Sequence, residues 1–269
     1  MKKIFITGST DGLGLMAAER LLKLGHRVLV HARNAQKAAA IKQKLPHVLG
    51  VVTGDLASIE ETRALAGEVN GFGPFDSIIH NAAVGYQERY EKTKDGLPHV
   101  FAVNSLAPYL LTCLIAKPGR LVYTSSGMNE QADAGLSDML WEKKRWNGAQ
   151  AYADTKFHDI LIGFAVARLW PDVWSNVVTP GWVATKMGGP HAPDSLEKGP
   201  ETQVWLASSD TPAVQVSGKF FYHQKPARYL AAADDADLQE RFMTFCESLT
   251  GVKLGGIKKA PDDRSFDSI

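Results

Sequence analysis

Four side chains in the middle of the chain have the types and spacing of proton chemistry. In the segment AYADTKFHDILIGFAVARL, which begins at Ala151, Tyr152 and Lys156 stand four residues apart. On a helix that spacing puts both on one face. A phenol with an ordinary pKa of about 10 is a poor acid or base near neutrality, but an ammonium beside it favours the phenolate and pulls the pKa toward the useful range. Upstream, RLVYTSSG ends a strand pattern with Ser125 and Ser126. A serine there can hydrogen-bond the same substrate oxygen as Tyr152.

A second constellation lies at the start of the chain. FITGSTDGLG, residues 5–14, runs from a strand pattern into three glycines, Gly8, Gly12 and Gly14. Placed between a strand and a helix, such glycines let a pyrophosphate approach the backbone and let the helix pack closely on the strand. The helix N-terminus then offers free N–H groups and positive dipole. Ser9, Asp11 and Leu13, between the glycines, join the expected contact set. Asp55, with Leu56 after it, follows the third strand in GDLAS, where its carboxylate can accept from an adenine amino group. Asn81 and Ala82 follow the fourth strand in HNAAVG. These positions register with successive strand ends, which is where ligands sit in open parallel sheets. At the end of the second strand, VHAR places Ala32 and Arg33 where an acid would grip the 2′-hydroxyl of an NAD ribose. An arginine there pairs with a 2′-phosphate and stacks on adenine, so the expected cofactor is NADP(H).

The elements that must position these residues are legible as alternating patterns. Seven strand runs are expected: KIFIT, RVLVHA, VLGVV, SIIH, RLVYTS, WSNVVT and GKFFY. The first five are short continuous apolar runs, as in a parallel sheet covered on both faces. Between them fall LGLMAAERLLKLG, with Gly25 as its stop, AQKAAAIKQKL, ended by Pro46, and SIEETRALAGEV, where Ser58 and Glu61 suggest a capping box. This alternation predicts an α/β fold, a single-domain Rossmann-type doubly wound parallel sheet of about seven strands. One domain is expected over residues 1–254, followed by a mobile tail at 255–269 that is rich in glycine and charge.

Composition narrows the partners. With 30 Lys and Arg against 29 Asp and Glu, the net charge of +1 gives no electrostatic case for nucleic acid or an anionic membrane. Two cysteines, Cys113 and Cys246, form neither a Cys-x-x-Cys pair nor a metal-ligand cluster, which suits a reduced, cytoplasmic setting and no bound metal. The longest apolar run, LAPYLLTCLIA, contains Pro108 and is too short to span a bilayer.

Taken together and in order, TGSTDGLG, HNAAVG, VNSLAPY, TSSG, YADTK and TPGWVATKM resemble the short-chain dehydrogenase/reductase family over residues 2–224. The resemblance implies that Tyr152 donates or accepts the proton, that Lys156 holds the nicotinamide ribose, and that Ser126 orients the substrate oxygen. It also implies that the backbone of Asn104 holds a water in a proton relay. Pro180 and Gly181 then form the turn beneath the nicotinamide, Val183 meets its carboxamide, and Thr185 meets cofactor polar groups. One departure is Ala83, where the family has glycine. The segment after Ser126 and the C-terminal helix DLQERFMTFCESL resemble the retinol dehydrogenase and carbonyl reductase branch. The implied substrate is a small carbonyl compound or its alcohol. Met128, Met139, Leu140, Trp141, Trp146, Trp182 and Met187, in the irregular segments, suggest an apolar one beneath a mobile lid, while Lys143, Lys144 and Arg145 form a solvated face. Family analogy adds a helix-paired homodimer or homotetramer. The rival readings are a non-catalytic NADP(H)-binding regulator or scaffold, a carbon–carbon double-bond reductase and an epimerase. The complete Ser, Tyr and Lys set favours carbonyl chemistry.

Overall fold

Strands that lack polar alternation must be covered on both faces, and here they are. In the computed structural model, which describes residues 1–87 and 89–255, β1 (Lys3–Ile6), β2 (Arg27–Ala32), β3 (Gly50–Thr53), β4 (Ser77–His80), β5 (Arg120–Thr124), β6 (Trp174–Val178) and β7 (Lys219–Tyr222) pair in parallel. The sheet has eight strands rather than seven, because β8 (Lys225–Pro226) folds back antiparallel on β7. Its two residues carry no readable period. The hairpin forms because His223 and Gln224 both take positive φ, 47° and 61°, as a tight two-residue turn requires.

The sheet order is β3-β2-β1-β4-β5-β6-β7-β8. The chain reverses direction across the sheet between β1 and β4, which opens a crevice at the carboxyl ends of those strands. Alternation within β1 shows the two layers: Ile4 and Ile6 join the cluster beneath α1 (Gly12–Lys23), α2 (Ala35–Lys44) and α7 (Glu201–Ser208), while Phe5 points to the other side. That second layer holds α3 (Ile59–Gly71), α4 (His99–Phe101), α5 (Ala107–Leu114), α6 (Gly148–Leu169) and α8 (Ala236–Thr250). Helix α6 has no exposed residue between Ala151 and Val166, since the sheet lies beneath it and α8 brings Leu238, Phe242 and Met243 into the same cluster.

Two local expectations change in detail. Ser58 caps α3 by accepting from the Glu61 N–H at 3.2 Å, but the Glu61 carboxylate does not return to Ser58. It accepts from the Asp55 N–H at 2.8 Å and so fixes the turn after β3. Both cysteines are free and buried, and burial pushes the Cys113 thiol up to about 12. Among the described residues no helix is long and apolar enough to cross a membrane, and no cluster of metal-binding side chains occurs. Of the tail expected at 255–269, residues 256–269 lie outside the described residues.

Candidate active site

A cavity of about 650 Å³ opens along the crevice and is lined at one end by the glycine turn and at the other by Tyr152 and Lys156. The turn is built from β1 outward. Thr7 Oγ1 accepts from the Asn81 and Ala82 N–H groups, both at 3.0 Å, tying the end of β1 to the end of β4. Asn81 Nδ2 donates to the carbonyls of Thr7 and Gly8 at 3.1 and 3.3 Å. Gly8 takes φ of +61°, and its N–H donates to His31 Nδ1 at 3.0 Å. The other ring nitrogen of His31 donates to the Gly54 carbonyl at 2.8 Å, and burial holds the imidazole pKa down, consistent with a neutral ring whose Nδ1 accepts. Asp11 caps α1 by accepting from the Gly12 N–H at 2.9 Å. Gly8, Asp11, Gly12, Leu13 and Gly14 all line the cavity, and so do Asn81 and Ala82. Ser9 does not. Its side chain is fully buried, donating to the Ile6 carbonyl and accepting from the His31 N–H, so it supports the turn from below.

Arg33, Asp55 and Leu56 line the same cavity, where the expected cofactor's adenosine end belongs. Lys37 and Lys44, from α2, join them there. Asp55 is shaped by its own turn, Oδ1 accepting from the Ala57 N–H at 2.9 Å.

At the other end the proton-transfer set converges. Tyr152 is buried on α6 and lines the cavity, whereas Ser126 is not in the lining and its Oγ accepts from the Met128 N–H at 3.3 Å. Ser125 lines the cavity with its hydroxyl donating to the Lys156 carbonyl at 2.6 Å, which locks the end of β5 to α6. Lys156 Nζ donates to the Thr124 carbonyl at 2.7 Å and to Asp159 Oδ2 at 2.9 Å. Its ammonium also lies 5.7 Å from the centre of the Tyr152 ring. Lys156 and Ser126 both pull the Tyr152 pKa down, but burial is the larger effect and leaves it above the ordinary phenol value. The net downward shift expected from the ammonium alone is therefore not what the folded protein shows. The edge of the Tyr86 ring approaches Tyr152, with centroids 6.1 Å apart.

Asn104 sits in a π-helical turn, Ala102–Leu106, between α4 and α5. Its side chain is fully buried, accepting from the Val84 N–H at 2.8 Å and donating to the Val84 carbonyl at 3.0 Å and to Thr155 Oγ1 at 3.1 Å. The side chain thus fixes the loop after β4, and the π turn is the irregularity in which a backbone carbonyl can be left over.

The segment after β6 supplies the roof. Pro180 and Thr185 line the cavity, with Ala184, Lys186, Met187 and Leu196. Lys186 closes an ion pair with Asp11 across the glycine turn. Gly181 and Val183 are not in the lining. Gly181 turns at φ +84° against Asp194, and Val183 is buried with its carbonyl accepting from the Thr185 N–H at 2.7 Å. The aromatic wall expected of the irregular segments does not line the cavity. Of the seven apolar residues singled out there, only Met187 lines the cavity. Trp141 and Trp146 meet edge to face with ring centres 5.1 Å apart, Met139 and Leu140 pack on the main cluster, and Trp182 is exposed with its indole N–H donating to the Gly188 carbonyl. Lys143, Lys144 and Arg145 are exposed, as expected.

A sequence model of the family described as short chain dehydrogenase matches residues 2–138. The short-chain dehydrogenase chyC of Penicillium rubens is 42% identical over 258 residues, covering 94% of this chain and 99% of that protein. The chain belongs to the short-chain dehydrogenase family. Human retinol dehydrogenase 14 (Homo sapiens) is 31% identical over 295 residues, covering 93% of this chain and 87% of that protein. Among solved structures, a putative uncharacterized protein from Mycobacterium paratuberculosis superposes with a TM-score of 0.80 at 22% identity, over 94% of this chain and 95% of that one. As a short-chain dehydrogenase the protein is an oxidoreductase, of a family that binds nicotinamide cofactors, and the crevice described above is where the fold places such a ligand.

Proposed function

We propose that the protein is an NADP(H)-dependent oxidoreductase that interconverts an apolar ketone or aldehyde and the corresponding alcohol. The observation that carries this reading is that one cavity joins Arg33 to the Tyr152 and Lys156 pair. The residues present fit the cofactor. The glycine turn and the first turn of α1 suit a pyrophosphate, and Arg33 and Lys37, which line the same cavity, would pair with a 2′-phosphate. Asp55 and Leu56, which line the cavity, would hold the adenine end, and Asn81, Ala82, Pro180 and Thr185 the nicotinamide half.

When bound, the nicotinamide supplies a hydride to the carbonyl carbon or takes one from the alcohol carbon. The chain's own part is the proton. The Tyr152 O–H gives its proton to the carbonyl oxygen as that oxygen gains charge, while the Ser126 hydroxyl donates a hydrogen bond to it. Carbonyl, hydride and proton balance to the alcohol, and the reverse reaction returns the proton to Tyr152. Lys156 supplies positive charge beside the tyrosine and would hold the ribose. The apolar part of the lining, Ala83, Val84, Val103 and Met187, favours an uncharged substrate over a keto acid.

The test is turnover of NADPH, followed by its absorbance, across a chain-length series of uncharged ketones and aldehydes beside matched keto acids. Tyr152→Phe is expected to lose about 10²–10⁴ in kcat while NADPH still binds. A Tyr152→Phe protein that keeps most of its activity on the best substrate refutes this role for the tyrosine, and efficiency that favours the acids refutes the substrate class.

A further inference from the structure

The amine of Lys156 is not open to solvent, nor does it face Tyr152 alone. Its Nζ lies 2.9 Å from the carboxylate of Asp159, one turn along α6, and both side chains are 3% exposed. A charge buried to this extent is costly unless paired, and breaking such a pair leaves the other charge stranded. The pair is pinned from the sheet as well, since Lys156 also donates to the Thr124 carbonyl of β5 at 2.7 Å. The lysine that the proposed reaction needs therefore has its reach and direction set by two fixed acceptors, one of which carries a full negative charge.

We propose that Asp159 is a positioning residue of the reaction site: it anchors the Lys156 ammonium and, as a second charge near Tyr152, keeps the phenolic proton on the tyrosine to higher pH. The proposal rests on the reading of Tyr152 as proton donor. Its sign follows from electrostatics. Lys156 alone would favour the phenolate, but the carboxylate behind it offsets part of that field and repels a negative charge on Tyr152. Seven residues of helix separate Asp159 from Tyr152 by about 10 Å along the axis. At an effective dielectric of about 20, one charge at that distance moves an ionisation by about one pH unit.

The groups that face this assembly are few. From α6 come Lys156 and Asp159, and both act on Tyr152, the first lowering and the second raising its pKa. From the loop after β4 comes the Tyr86 phenol. From β5 comes Tyr123, whose pKa Asp159 also raises, and Cys113 of α5 stands beside Tyr123. His80, stacked on Tyr123, and His158, stacked on Phe242 of α8, are held neutral by burial, each at about 3. From α8 itself Cys246 is buried as a thiol, and Glu240 pairs with Arg168 near the far end of α6. Burial pushes the Asp159 carboxyl up to about 6 although Lys156 pulls it down.

The experiment is a tyrosinate absorbance titration of the full-length, cofactor-free protein, with the Tyr152 step isolated by subtracting the Tyr152→Phe form in each background. Asp159→Asn, nearly isosteric and uncharged, is expected to move that step down by about one pH unit, and Asp159→Glu to leave it within a few tenths of the parent value. With the best substrate at saturation, the pH at which kcat for alcohol oxidation reaches half its plateau should move down by about one unit in Asp159→Asn. A Tyr152 step that stays in place or moves up in Asp159→Asn overturns the proposal. Should Asp159→Asn not fold, melting temperatures decide the pairing: Lys156→Met is expected to melt well below the parent, and Lys156→Met with Asp159→Leu to recover most of the loss. A double variant no more stable than Lys156→Met overturns the anchoring role. Because the titration needs no turnover, a protein inactive on every carbonyl compound defeats the reading of function but leaves the Asp159 result to be read by itself.

Discussion

Gly8→Ala tests whether the glycine turn is held as tightly as its contacts imply. A Cβ on Gly8 would sit 2.8 Å from Ala82 Cα and 2.9 Å from Ala82 Cβ, distances that force backbone rather than a flexible side-chain end to move. The residue also takes φ of +61°, which for an L side chain costs about 1–2 kcal/mol. Overpacking of this kind adds about 1–3 kcal/mol. The two neighbouring turns cannot simply separate, because Asn81 and Ala82 are bonded to Thr7, and Asn81 to Gly8 itself. The expected loss is thus about 2–5 kcal/mol, and at about 2–4 °C per kcal/mol for a chain of this size the melting temperature falls by roughly 4–20 °C. The same displacement spoils the pyrophosphate cradle. If about 1.4–2.8 kcal/mol of the strain is felt there, the NADPH dissociation constant rises about ten- to a hundredfold. Calorimetry and fluorescence titration of NADPH measure both. Gly67→Ala is the control: it lies on the exposed face of α3 with no atom within 4 Å of the new methyl, and should stabilise the protein by about 0.5–1 kcal/mol. A Gly8→Ala protein with the parent's melting temperature and NADPH affinity would refute the argument that this turn has no room to give.

Two further outcomes are expected. Arg33→Ala should reduce the preference for NADPH over NADH by about ten- to a hundredfold, since an ion pair at about 4 Å and intermediate dielectric is worth at most ~4 kcal/mol before desolvation; equal affinities for the two cofactors in the parent would sink the NADP(H) assignment. Self-association through α6 requires α8 to move, because α6 has no exposed residue from Ala151 to Val166, so sedimentation at micromolar concentration should show a single copy. A stable dimer would mean that copies pair through another face or that α8 undocks.

Much of the site is local in the chain and so was readable without the fold. The glycine spacing, the Ser126, Tyr152 and Lys156 set and Arg33 sit at strand ends and on one helix, where backbone period alone dictates their side, and strand alternation dictates a doubly wound sheet. Asp159 was visible too, three residues beyond Lys156, but at that spacing an acid and a lysine are usually a solvated surface pair. Only the closure of β5 and α8 around α6 buries it and makes its charge count. His31 beneath the glycine turn, the reach of Glu61 to the Asp55 amide, the withdrawal of Ser9 from the cavity and the absence of most of the irregular segments' apolar residues from its lining were likewise decided in three dimensions. The reason is common to all four. Periodicity states which side of an element a residue occupies, whereas what it meets there depends on a partner distant in the chain or on a turn with no period, and burial, which sets the strength of every charge in this site, exists only once those partners have come together.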